Sequence, residues 1–128
     1  MTRYLLDTDS LIDFSKGVEP ATSLILGWID GSDTVAVCPI TVAEFFAGLT
    51  GEQALRWEPF VAALDYWDIS VNASMRAGQA WYMLTLEGRA ITTTDALLAA
   101  LARVRRATLV TGNVKDFPMA DVSLLPLR

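Results

Sequence analysis

The chain has 128 residues, of which 52% are hydrophobic and 20% charged, with a formal net charge of −5. That length suits a single domain over 1–128 with enough surface to bury a core, and its apolar runs are interrupted by charges well before the roughly 20 residues that a membrane helix needs. Cys38 is the only cysteine and histidine is absent, which excludes an internal disulfide, serine–histidine hydrolases, histidine-dependent ribonucleases and zinc held by thiolates or imidazoles.

Any acid–base or metal chemistry therefore falls to carboxylates, whose hard oxygens suit Mg²⁺ or Mn²⁺. The charge is unevenly spread: residues 1–70 hold 3 basic and 11 acidic side chains, whereas residues 71–128 hold 7 basic and 4 acidic. Such asymmetry marks either an interaction surface or ordinary solvated charge.

Tyr4 to Leu6 opens the chain as a short strand, and the acids Asp7, Asp9 and Asp13 follow it at once, which argues against a secretory segment. The expectation is a soluble cytoplasmic protein without a membrane span. A helix begins near Ser10. Of the two acids before it, Asp9 is assigned to the cap and Asp7 to the strand end, where functional groups gather in parallel sheets. Asp13 reads as a solvated helix residue. Pro20 opens a second helix over Ala21 to Ile29.

Thr34 to Val37 reads as the second strand. Val42, Phe45, Phe46 and Leu49 then fall at the spacing of a buried helix face, with Glu44 about 200° from Val42 and so on the opposite side. Glu44 is either an ordinary exposed glutamate or a site acid facing the small residues Ala47 and Gly48. Glu52 to Tyr66 reads as a helix, Trp67 to Ile69 as a third strand, and Asn72 to Leu86 as a longer helix closed by Gly88.

Leu97, Leu98, Leu101 and Val104 repeat the buried helical spacing. Asp95, three residues after Thr92, fits a capping box as well as a site. Ala107 to Val110 and Val122 to Leu125 complete the strands. Between them Thr111, Gly112, Asn113 and Asp116 form a polar turn at a strand end, with Phe117 as its anchor. Strands alternating with helices imply a mostly parallel sheet of about five strands covered on both faces.

Four segments taken in order resemble the PIN-domain ribonucleases of the VapC toxin type. They are Tyr4-Leu5-Leu6-Asp7-Thr8-Asp9-Ser10-Leu11-Ile12, Thr41-Val42-Ala43-Glu44-Phe45, Thr94-Asp95-Ala96-Leu97-Leu98-Ala99-Ala100 after Gly88 to Ile91, and Thr111-Gly112-Asn113-Val114-Lys115-Asp116-Phe117. The resemblance implies a three-layer α/β/α sandwich and an endoribonuclease whose catalytic, metal-holding acids are Asp7, Glu44, Asp95 and Asp116. Thr111 and Asn113 take supporting roles in that reading, and Arg106 and Lys115 contact RNA backbone.

The resemblance also implies a homodimer held inactive by a cognate antitoxin, whose segment lies in an apolar groove and sends a basic side chain toward the acids. The leading strand residues Ala107-Thr108 and the Arg103, Arg105, Arg106 cluster are atypical and bear on substrate contacts alone. Carboxylates crowded together raise one another's pKa unless a divalent cation, Mg²⁺ or Mn²⁺, neutralises them.

Two alternatives compete. A haloacid-dehalogenase-like phosphatase is suggested by Asp7-Thr8-Asp9 and Thr111, but the chain holds only Asp121 and seven more residues for its remaining acidic motif. A non-catalytic interaction module would use the four acids as caps and surface charge. For that module Leu24, Ile25, Trp28, Ile29, Trp57, Phe60 and Trp67 supply apolar surface, although core burial accounts for most of them.

Overall fold

A computed structural model describes residues 1–128. In chain order the elements are β1 (Arg3–Leu6), α1 (Thr8–Ser15), α2 (Ala21–Asp30), β2 (Thr34–Val37), α3 (Pro39–Ala47), α4 (Gly51–Ala63), β3 (Asp65–Tyr66), α5 (Val71–Leu86), α6 (Thr93–Val104), β4 (Thr108–Thr111) and β5 (Leu124–Pro126), with a 3-10 turn at Val114–Asp116. The strands form one sheet in the order β3-β2-β1-β4-β5, and every pairing is parallel.

Alternation along the strands builds two cores from one sheet. Leu6, Val35, Val37 and Val110 face Leu11 and Phe14 of α1, Ile25 and Trp28 of α2, Phe45 of α3 and Val61 of α4. Leu5, Ala36 and Leu109 face the other way, onto Leu98 and Leu101 of α6 together with Trp67 and Phe117. Helix α5 lies outside α6 on a seam of small residues, Ala77 against Ala96 and Ala100. Leu5, Leu6 and Leu109 are fully buried, each contributing roughly 1.5–3 kcal/mol. The central strand β1, whose carboxyl end carries Asp7, is thereby held rigidly. The α/β/α sandwich and its five-stranded parallel sheet agree with the sequence reading. No helix is long and apolar enough to cross a membrane.

Several boundaries differ from the sequence reading. Helix α4 stops at Ala63 rather than Tyr66, and β3 is Asp65–Tyr66 rather than Trp67 to Ile69. Trp67 still donates its backbone N–H to the Val37 carbonyl at 2.9 Å, but Ser70 then caps α5 and ends the extended stretch. The indole is buried, with the guanidinium groups of Arg3 and Arg105 at 5.0 and 5.2 Å from its ring. Strand β4 begins at Thr108 and includes Thr111, and β5 begins at Leu124.

Helix ends explain two unusual backbone positions. Gly88 and Arg106 both have positive φ, +74° and 53°. Each stands just past a helix, where the left-handed conformation lets the next N–H reach back five residues. Arg89 N–H meets the Leu84 carbonyl at 2.9 Å, and Ala107 N–H meets the Ala102 carbonyl at 2.8 Å. Glycine fits that geometry freely; arginine bears a steric cost of about 1–2 kcal/mol there.

Candidate active site

Asp7, Thr8, Asp9, Glu44, Asp95 and Asp116 line one cavity of about 120 Å³ at the carboxyl edge of the sheet, closed by Leu98 and Phe117. Each acid arrives by a different local device. Asp7 directly follows β1 and is the N-cap of α1: its Oδ1 accepts from Ser10 N–H at 2.9 Å and lies 2.8 Å from the Ser10 hydroxyl. That hydroxyl also lies 2.6 Å from the Val110 carbonyl, so Ser10 ties the cap to β4.

The cap is therefore Asp7 and not Asp9, because α1 starts at Thr8, two residues before the expected Ser10. One carboxylate combines the capping position with a place in the cavity. Asp9 stands in the first helical turn and joins the lining. Asp13 is not solvated: it is buried and paired with Arg128.

Glu44 reaches the cavity because α3 is pinned at its start. The buried Thr41 hydroxyl donates to the Leu6 carbonyl at 2.8 Å, fixing α3 beside the end of β1, and Glu44 stands one turn further on. Its Oε1 accepts from the Thr8 hydroxyl at 2.6 Å. Thr92 caps α6, its hydroxyl accepting from Asp95 N–H at 3.1 Å. Asp95 is thus at the N-terminal end of α6, where the helix dipole favours a negative group. Asp116 sits in the 3-10 turn, its Oδ2 accepting from Asn113 Nδ2 at 3.0 Å. Thr111 is buried at the end of β4, and its hydroxyl accepts from Asn113 N–H at 3.0 Å.

The carboxylates act on one another electrostatically. Burial pushes the Asp7 carboxyl up, against hydrogen bonds from Thr111 and Ser10 that favour its charged form, and the Asp9 charge adds to the rise. Asp95 is also raised, first by burial and then, despite the Thr92 hydroxyl, by the charges of Asp116, Glu44 and Asp7. The cavity lining includes five carboxylates and no basic side chain. No three acids converge tightly enough to ligate one ion directly.

That arrangement fits a strongly hydrated cation such as Mg²⁺, which takes one or two carboxylates and keeps several of its waters. At about 30 Å³ per water, the cavity has room for an ion and part of its shell. The acids, the hydroxyls and the absence of nitrogen or sulfur donors all suit a hard ion.

Of the other residues singled out from the sequence, Lys115 lies on the exposed 3-10 turn beside Asp116. Arg106 is not brought to the acids. It lies past the far end of α6, in a separate cavity of about 420 Å³ with Arg103, Thr108, Asp121 and Ser123. It stands eleven positions after Asp95 along mostly helical chain, roughly 16 Å at 1.5 Å per residue.

Thr8, Ser10 and Thr41 went unassigned in the sequence, although Asp7 and Ser10 have the spacing of an N-cap pair. Of the seven apolar residues weighed as surplus, Ile25, Trp28 and Trp67 are buried, and Leu24, Trp57 and Phe60 pack against the core. Ile29 is exposed.

A family model described as PIN domain matches residues 4–121. "Ribonuclease VapC19" of Mycobacterium tuberculosis is 28% identical over 115 residues, 90% of this chain and 92% of that protein. "Ribonuclease VapC2" of Rickettsia felis is 29% identical over 119 residues, 89% of each. Among solved structures, VapBC2 from Rickettsia felis bound to a DNA fragment from its promoter superposes with a TM-score of 0.84 at 24% identity, covering 98% of both chains. A toxin–antitoxin complex from Klebsiella pneumoniae gives 0.80 at 25% identity with the same coverage.

Proposed function

The chain belongs to the PIN-domain family, and on that premise we propose that it is an endoribonuclease, the toxin of a type II toxin–antitoxin pair, cutting RNA with Mg²⁺ or Mn²⁺. The observation that carries this reading is the single small cavity walled by five carboxylates with no cation among its lining residues. Relatives named as ribonucleases match along most of their length, which supports RNA over a small phosphomonoester as substrate. The phosphatase alternative has no comparable support.

Asp7, Glu44, Asp95 and Asp116 would hold the ion, some of them through its waters. Bound there, a divalent cation supplies charge neutralisation, a more acidic water and stabilisation of charge on the leaving oxygen. The chain's own residues set up that chemistry. Ser10 fixes the Asp7 carboxylate, Thr8 holds Glu44, and Asn113, whose N–H donates to the Thr111 hydroxyl, holds Asp116. The Asp7 and Asp95 carboxyls are raised first by burial and then by neighbouring carboxylates, so both would ionise more readily beside a cation. Lys115, beside Asp116, is the proposed contact to RNA phosphate. Arg106, exposed past the far end of α6, would meet RNA backbone only away from the acids.

The structural relatives are toxin–antitoxin complexes, and a cognate antitoxin belongs to the same reading. So does a homodimer. Val71, Met75, Tyr82 and Leu86 are exposed and recur along one side of α5 at helical spacing, and Gly78 leaves a flat patch among them. This stripe, opposite the alanine seam that packs on α6, is the face assigned to the second copy. Purified protein degrading RNA with Mn²⁺ and not with chelator tests the proposal; cleavage that survives chelation contradicts it.

A further inference from the structure

Arg128 follows β5 and belongs to none of the acid-bearing segments, yet it joins two of them. Its Nη2 lies 2.9 Å from Asp13 Oδ1 and 2.8 Å from Asp13 Oδ2. The Asp13 side chain is only 10% exposed, so its charge has little water to compensate it and depends on that guanidinium.

The other edge of the same guanidinium lies against Gly112. A Cβ built there would fall 1.7 Å from Arg128 Nη1, 3.0 Å from its Cζ and 3.4 Å from the Asp9 Cβ. Only a residue without a side chain lets the plane rest on the backbone at this point. Gly112 does not have positive φ, so its lack of a Cβ serves this close approach and not a special turn. The backbone delivers Arg128 accurately: Leu127 N–H donates to the Thr111 carbonyl at 2.8 Å, and the Leu127 side chain is buried.

One planar group thus spans α1 and the loop Thr111-Gly112-Asn113. Helix α1 carries Asp7 as its cap and Asp9 in its first turn, while the loop carries Asn113 and leads to Asp116. Arg128 itself is not among the residues lining the acid cavity. The geometry points to Arg128 as a positioning residue: an ionic strut between Asp13 and Gly112 that sets the distance of Asp116 and Asn113 from Asp7. Its consequence for metal rests on the nuclease reading above; its effect on the loop does not.

Arg128→Ala and Gly112→Ala break the strut from opposite sides, the first by removing the guanidinium and the second by evicting it. Both are expected to speed hydrogen exchange over residues 111–117 in metal-free protein. Both are expected to weaken Mn²⁺ binding, read by calorimetry, by about tenfold, as for partners that orient metal-holding residues, with KM for RNA unchanged. Arg128→Lys keeps the charge without the two-edged plane and is expected to fall between the wild type and Arg128→Ala.

Should Arg128→Ala fail to fold, Gly112→Ala decides the matter alone. Unchanged exchange over 111–117 overturns the strut, and so does a raised KM with Mn²⁺ affinity intact, which would make Arg128 an RNA contact. If the wild type binds no Mn²⁺ while either variant still loosens 111–117, the strut stands and the nuclease reading fails.

Discussion

Thr8 and Glu44, 36 positions apart in the chain, are joined by a hydrogen bond of 2.6 Å from hydroxyl to carboxylate. Glu44 is exposed on α3 and would otherwise be free to rotate toward solvent. The bond holds one carboxylate oxygen, leaving the other for a ligand, and lowers the entropy lost when an ion is bound.

Thr8→Val keeps the shape of the side chain and removes that donor. It is expected to weaken Mn²⁺ binding and lower kcat by about tenfold while changing stability by less than about 1 kcal/mol. Calorimetry with steady-state cleavage of an RNA oligonucleotide reads both. Unchanged Mn²⁺ affinity would show that Thr8 does not orient Glu44.

The raised Asp7 and Asp95 pKa values set the sign of a pH effect. Their folded-state values lie above the ordinary aspartate value of 3.8, so between those limits the unfolded chain holds fewer protons than the folded one. Metal-free protein is expected to lose stability from this source as pH rises from 3.8 through the raised values, with none of that loss at lower pH. Asp95→Asn is expected to flatten the dependence and raise the metal-free Tm at pH values where the wild-type carboxyl is ionised. Thermal melts of both proteins across pH check this, and a lower Tm in the variant would contradict it.

Arg106 bears the steric cost of the left-handed region at the end of α6. Arg106→Gly is expected to stabilise the protein by about 1 kcal/mol, raising Tm by roughly 3–5 °C for a domain of this size. A fall in Tm would mean that side-chain contacts in the neighbouring cavity outweigh the backbone strain.

Tyr82 is 58% exposed on the apolar stripe of α5. Tyr82→Glu would place a charge where a second copy must exclude water. Light scattering is expected to find a dimer in the wild type and a monomer in this variant. Dimers in both would move the interface away from α5.

Much of this arrangement was legible in the sequence because it rests on local pattern. Runs such as Tyr4 to Leu6 and Thr34 to Val37 announce buried strands, and the helix carrying Phe45 announces itself by period. Acids at strand ends mark one edge of a parallel sheet, which brings Asp7 and Asp116 together. What stayed hidden depends on partners distant in the chain. Asp13 looked solvated because nothing in its vicinity foretells Arg128, 115 residues later. Thr41 and Thr8 gain meaning only once Leu6 and Glu44 stand beside them. That Arg106 lies in a cavity apart from the acids follows from its place at the far end of α6, which its sequence neighbours alone do not show. The boundary of α4 depended on a two-residue strand too short to leave a pattern.

Asp7→Asn tests most directly whether the four acids serve RNA cleavage by holding a divalent ion. Asparagine caps a helix about as well as aspartate, so α1 keeps its N-cap while the site loses one charge. The measurement is cleavage of a defined RNA by wild type and Asp7→Asn, each with Mn²⁺ and with chelator, at matched circular dichroism. Cleavage by the wild type with Mn²⁺ alone, and by the folded variant under neither condition, is the expected result. Full activity in Asp7→Asn, or cleavage by the wild type in chelator, would contradict the account.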